Sequence, residues 1–262
     1  MYQLIYNNIS MKFTEYISKN QVFSTSELIN TVDNPNTVNV LLQRALKSKR
    51  IVRIHRGLYV SKIGPFETMS VNPYSIIRAL DPMAILSFHS ALESYGVAHN
   101  QYFMVQFRTE VLRTPFEYDK VQYQPYRSSG HIDIQNLDNR PFGTIKVTTR
   151  EQTFVDCLSF PERAGGIEEV IRSLSLFPYL DFNQLEVLLR QGNNSLAARA
   201  GWLLEAKKDS WRVNELTMES LKKRTFNGPF KLDKQAKENH GWSSKWNLCL
   251  PESEDEVRSW SQ

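Results

Sequence analysis

The stretch from Asn34 to Val60 changes its apolar period midway, and that change fixes what this part of the chain can become. After the break at Asn34-Pro35, Val38, Leu41, Leu42, Ala45 and Leu46 recur at i, i+3, i+4, i+7 and i+8, the stripe of an amphipathic helix. From Ile51 the period drops to two, with Ile51, Arg53 and His55 alternating against Val52 and Ile54. Arg56-Gly57 then forms a turn before Leu58, Tyr59 and Val60. A helix running into a β-hairpin is the reading. Upstream, "FTEYISKN" places Phe13, Tyr16 and Ile17 at helical spacing, and "STSELINTV" offers a Ser/Thr cap followed by Leu28, Ile29 and Val32. Three short helices followed by a hairpin predict a winged helix-turn-helix over residues 1–65, with the third helix as the groove-reading element.

Charge supports that assignment. Residues 1–65 carry nine Lys and Arg against Glu15, Glu27 and Asp33, a net of +6 in a chain whose total is only +4. No Asp or Glu occurs from Asn34 to Phe66, so the cations there have no local partner in sequence, and a polyanion is the partner implied. The outward face of the third helix offers Asn36, Thr37, Asn39, Gln43, Arg44 and Lys47, side chains suited to base edges and phosphates. Lys49, Arg50, Arg53, His55 and Arg56 extend the set across the hairpin. These eleven residues are the candidate double-stranded DNA contacts. Gly57 reads as a turn requirement and Tyr59 as a residue packed beneath the hairpin.

A turn-rich segment, "SKIGPFETMSVNP", separates this head from a larger body, 66–250, and an acidic tail, 251–262, that reads as loose. In the body, "YSIIRALDPMAILSFHSALESYGV" gives two helical patterns burying Ile76, Ile77 and Leu80, then Ile85, Leu86 and Leu92. Strand-like runs follow at "YFMVQF", "DKVQYQPY" and "GTIKVTTR". Helices return at "QTFVDCLSF", "GIEEVIRSLSLF", "DFNQLEVLLRQ" (capped at Asp181) and "SLAARAGWLLEAKK". The fold class predicted is α+β: the winged head followed by a mixed α+β body.

A hydrophobic fraction of 41% with 14 Phe, 11 Tyr and 5 Trp excludes global disorder. The apolar runs are far shorter than a bilayer crossing demands, and "MYQLIYNNIS" lacks the pattern of a secretory signal. Cys157 and Cys249 are isolated in apolar context. A cytoplasmic protein with no membrane partner is expected.

Enzyme signatures are missing from the sequence. There is no Gly-rich phosphate loop, no G-x-S-x-G and no H-E-x-x-H, and the five histidines lack ligand spacing. No cofactor or metal is expected, and the chain reads as a non-enzyme. The rival is a DNA-targeted nuclease, for which Glu205-Ala206-Lys207 is the only acid-x-Lys triplet, in a helical stretch where the two charges need not converge. His89 lacks a nucleophile or second acid nearby in sequence and reads as a packing histidine. A third alternative is a winged-helix regulator whose body senses a ligand.

Four blocks in order resemble the AbiEi-type antitoxins, the repressor halves of bacterial abortive-infection toxin-antitoxin pairs. They are the basic hairpin "IVRIHRGLYV", the helix "SFHSALESYGV", the block "VTTREQTFVDCLSFPERAGGIEEV" with Thr149, Asp156, Pro161, Gly165 and Gly166, and "FKLDKQAKENHGWSSKWNLCLP" with Leu232, Asp233, Gly241 and Trp246. Together they cover about residues 10–250. The chain departs from the family at Lys49-Arg50, where many members end the recognition helix with Gly, and its first ten residues look like an addition. The resemblance implies autorepression through an inverted repeat in the promoter, and because a winged head binds palindromic sites in pairs, two copies are expected on the operator. It also implies that the body counteracts a nucleotidyltransferase-like toxin; Arg150, Arg163 and Arg172 on the body read as solvated surface, with DNA-backbone contacts or a toxin-facing role as the alternatives.

Overall fold

The structure, a computed structural model, describes residues 2–32, 34–111, 114–138 and 144–262. The chain is mixed α+β. It opens with α1 (Tyr2–Lys19), which buries Ile9, Phe13 and Ile17 at successive turns. The helix expected around Phe13 therefore begins at Tyr2, and residues 2–10 form its first half. Then come β1 (Val22–Ser24), α2 (Thr25–Val32), α3 (Pro35–Lys47), β2 (Ile51–His55) and β3 (Leu58–Ser61).

Local chemistry sets each boundary. At the start of α2, Ser24 Oγ accepts the Glu27 N–H at 3.2 Å while Glu27 Oε2 accepts the Ser24 N–H at 2.7 Å, a reciprocal capping box. At α3, Asn34 Oδ1 accepts the Thr37 N–H at 3.0 Å, and Pro35 occupies the first helical position, where its missing N–H costs nothing. The three strands are antiparallel in the order β1-β3-β2, with Phe23 opposite Tyr59 and Arg53 also opposite Tyr59. Strand β1 is absent from the sequence reading, because "VFS" is too short to show a period; it turns the expected hairpin into a three-stranded sheet. Ile51 is buried and Arg53 exposed, and a bulge between Arg53 and His55 shifts the register at the end of β2. Tyr59 is buried and stacks on Phe23 at 5.7 Å, within a core of Ile17, Leu28, Val38, Leu42 and Ile51.

Two compact units make up the chain. One comprises Met1–Ala84, Phe103–Arg127 and Asp138–Ile145; the other comprises Ile85–Tyr102, Ser128–Leu137 and Lys146–Gln262. The segment after residue 65 belongs to the first unit: Gln21 Nε2 donates to the carbonyls of Met69 and Ser70, and α4 (Pro73–Leu80), capped by Asn72, packs on β1.

Next come β4 (Ile85–Leu86), α5 (His89–Ser94), β5 (Met104–Thr109), β6 (Phe116–Tyr118), β7 (Val121–Arg127), β8 (Ile134–Asp138) and β9 (Thr144–Thr148). Ile85 and Leu86, expected in a helix, instead form a strand parallel to β9, opposite Lys146 and Val147. Two apolar residues cannot declare a period, and pairing decides. In the first unit β7 lies parallel to β5 and antiparallel to β6.

The second unit continues with α6 (Arg150–Ser159), α7 (Ile167–Ser175), α8 (Phe182–Gln191), α9 (Asn194–Ala206), α10 (Lys208–Trp211), α11 (Glu215–Lys223), β10 (Phe230–Lys231), β11 (Gly241–Ser243), β12 (Leu248–Leu250) and α12 (Glu254–Ser259). Asp181 caps α8 as the sequence predicts, accepting the N–H groups of Asn183 and Gln184. Helix α9 is buried from Leu196 to Leu204 and forms the centre of the core, with the Trp246 ring lying against Gly201. The expectation of a loose tail is overturned. Residues 254–259 are helical, and Val257 and Trp260 are buried in that core. The acids of "PESEDEV" face outward, and the apolar pair at i and i+3 pays for the ordering.

Candidate nucleic-acid interface

Helix α3 has two faces. Val38, Leu41, Leu42 and Ala45 are buried, and the opposite side carries Asn36, Asn39, Gln43, Arg44 and Lys47, all exposed. Of the remaining sequence-derived candidates, Lys49, Arg53 and Arg56 are exposed and Thr37, Arg50 and His55 half-buried. The fold thus brings the helix set and the strand set together: α3 runs directly into β2 through Lys49 and Arg50, and both belong to one small core.

Among the described residues no carboxylate pairs with Lys47, Lys49, Arg50, Arg53 or Arg56. Glu15 is taken by Lys19 at 2.6 Å and Glu27 by the Ser24 cap, while Asp33 lies outside the described residues. Lys47, Lys49, Arg53 and Arg56 are exposed and Arg50 is half-buried, so five cations crowd one helix end and one hairpin, an arrangement that lowers its energy when a polyanion displaces the counterions around it.

The hairpin is braced from below. The His55 ring packs on Phe116 of β6 at 4.7 Å, its Nε2 lies 3.5 Å from Thr114 Oγ1, and Phe116 stacks in turn on Tyr123 of β7 at 4.7 Å. His55 thus faces protein, and the turn at Arg56-Gly57 is held against the start of α2, where the Thr25 N–H donates to the Gly57 carbonyl at 2.8 Å; Gly57 has φ +72°. Phe116 and Tyr123 were beyond sequence reasoning, being some 60 residues distant along the chain. Sequence reasoning also passed over Val40, which is 46% exposed amid the polar side chains of α3; its departure from the apolar stripe was the available signal.

Elsewhere the candidate side chains are occupied or scattered. The Arg150 guanidinium lies 4.4 Å from the Tyr179 ring, Arg163 lies 4.2 Å from Phe160, and Arg172 pairs with Glu168 at 2.8 Å. Asp156 is buried and accepts from Gln152 Nε2 at 2.9 Å. His89 does have acids beside it, contrary to the expectation from sequence: Nδ1 lies 3.3 Å from Glu93 and Nε2 3.1 Å from Glu169. Glu93, one helical turn away, was visible as a neighbour; Glu169 arrives only through the tertiary fold. Burial would raise the Glu169 carboxyl, but donors from Asn100, Ser173 and His89 outweigh it and hold the group below its ordinary value. The hydrogen bond from Nε2 to Glu169 makes His89 a strut between α5 and α7. In the nuclease-like triplet, Glu205 accepts from Lys245 and from Trp246 Nε1, and Lys207 Nζ donates to the Ser261 carbonyl. Among the described residues no three His, Cys, Asp or Glu side chains are grouped to hold a metal, and no helix is long and apolar enough to cross a membrane.

No protein-family model and no curated protein matches the chain in sequence. In three dimensions it is similar to the crystal structure of the RV2827C protein from Mycobacterium tuberculosis. The TM-score is 0.65 over 97% of this chain and 95% of that one, at 15% identity, a likeness of fold.

Proposed function

We propose that this chain is a DNA-binding autorepressor, its first 65 residues acting as a winged helix-turn-helix that seats α3 in the major groove and sets the β2–β3 hairpin on the adjoining backbone. The observation that carries the reading is the cationic, amide-rich surface of α3 and its hairpin, with five cations left without carboxylates by the fold. Phosphate attraction supplies affinity irrespective of sequence, and Asn36, Asn39 and Gln43 supply base discrimination. An inverted repeat would be bound by two copies, each offering one α3.

The proposal extends to an antitoxin of the AbiEi type that counteracts a nucleotidyltransferase-like toxin. Its support is the ordered run of four sequence blocks from the hairpin to Trp246. The test is binding of the purified chain to the duplex upstream of its own gene and to a scrambled duplex, across a salt series, with co-expression of the neighbouring reading frame. Preferential, salt-sensitive binding and rescue from a toxic neighbour support the two halves. Equal binding to both duplexes rejects the repressor half, and a harmless neighbour rejects the antitoxin half.

A further inference from the structure

We infer that Val40 reads the 5-methyl group of a thymine, so that each half of the bound site contains an A·T pair facing the middle of α3. The inference rests on the proposal that α3 enters the major groove and names what it recognises there.

At about 100° of rotation per residue, Asn39 and Thr37 bound an arc of about 160° on α3, and Val40 lies about 20° from its middle. Asn36, Gln43, Arg44 and Lys47 fill the rest of that arc. Val40 is its sole apolar member and is 46% exposed. The fold gains little from it: Val38, Leu41, Leu42 and Ala45 form the packed face, and valine is a poorer helix former than the Lys, Gln or Ala found nearby. A lone exposed valine is ordinary on a protein surface, but this one stands where a groove-reading helix meets the base edges.

Those edges narrow the choice. In the major groove adenine, guanine and cytosine present hydrogen-bonding groups; thymine alone adds an apolar group, its C5 methyl. A valine over any other edge would strip water from donors or acceptors and return nothing. Its branched side chain holds essentially one rotamer in a helix, so the contact costs little entropy. Asn39 and Gln43, adjacent on the same arc, are the amides that pair with adenine N6 and N7, which makes the neighbouring pairs consistent with an A·T-containing site.

The experiment is selection of bound duplexes from a random-sequence pool by the full chain, followed by replacement of each selected thymine with deoxyuridine, which removes the methyl and nothing else. One thymine per half-site should matter, its replacement weakening wild-type binding about fourfold, the partitioning of one methyl group. Val40→Ala should bind the thymine and uridine duplexes equally while keeping its thermal stability. Uridine substitutions without effect at every position, or a methyl effect that persists undiminished in Val40→Ala, would overturn the inference while leaving DNA reading intact. A pool that yields no enriched site would overturn DNA reading itself, and this inference with it.

Discussion

The Arg50 N–H donates to the Ala45 carbonyl at 2.9 Å, folding the end of α3 back on itself around Lys49, whose φ is +56°. With Lys49 N–H on the Leu46 carbonyl at 3.0 Å, this is the helix ending that normally places glycine in the left-handed residue. A side chain there costs about 1 kcal/mol or more. What the site has in return is an exposed cation at the junction of helix and hairpin. Lys49→Gly should therefore raise the unfolding free energy by about 1 kcal/mol, read as a higher urea midpoint at unchanged m-value, and weaken DNA binding in the same protein. A glycine variant that binds as tightly as wild type would show that the strain serves no DNA contact.

Lys47 and Arg53 lie on the helix end and the hairpin, exposed and without carboxylate partners. Replacing either with Ala should lower the salt slope of binding by about one unit while leaving the preference among sequences untouched. Changing Asn39 or Gln43 to Ala should instead cost about 1 to 3 kcal/mol of discrimination at a single base pair, with the salt slope retained. Anisotropy titrations over a salt series measure both.

Glu169 is buried with its carboxyl held below 4.5 by Asn100, Ser173 and His89 against the cost of burial. The unfolded chain takes up that proton more readily than the folded one, so the group's contribution is complete above its ordinary value and is lost as pH falls through the lowered one. Glu169→Gln should lower stability at neutral pH and flatten the acid side of the stability curve from about pH 5 downward. Denaturant melts of both proteins at a series of pH values provide the comparison; parallel acid limbs would discount the carboxylate.

Trp260 is 7% exposed at the end of α12 and belongs to the same core as Trp202 and Trp246. Trp260→Ala should cost about 3 to 5 kcal/mol, read as a fall in melting temperature. A change near zero would return the acidic tail to a solvated one.

Gly201 faces the Trp246 ring so closely that an added Cβ would overlap it. Gly201→Ala should destabilise by about 1 to 3 kcal/mol despite alanine's better helix propensity. The thermal midpoint again decides, and a rise would mean that the ring has room to move.

The sequence by itself determined α3, the break at Asn34-Pro35 that precedes it, the turn at Gly57 and the outward set from Asn36 to Lys47. Each depends on period and on side-chain chemistry within a few residues. It also determined the crowding of cations, since charge is countable without coordinates. Only the tertiary structure decided that "VFS" would pair with β3, that Ile85-Leu86 would become a strand, and that Phe116 would brace His55. It likewise decided that Glu169 would join His89, and that Val257 and Trp260 would bury an apparently loose tail. Those outcomes join residues dozens of positions apart. Short segments carry too little periodic information to specify a partner, and the free energy that selects one comes from surfaces that exist only once the rest of the chain has folded.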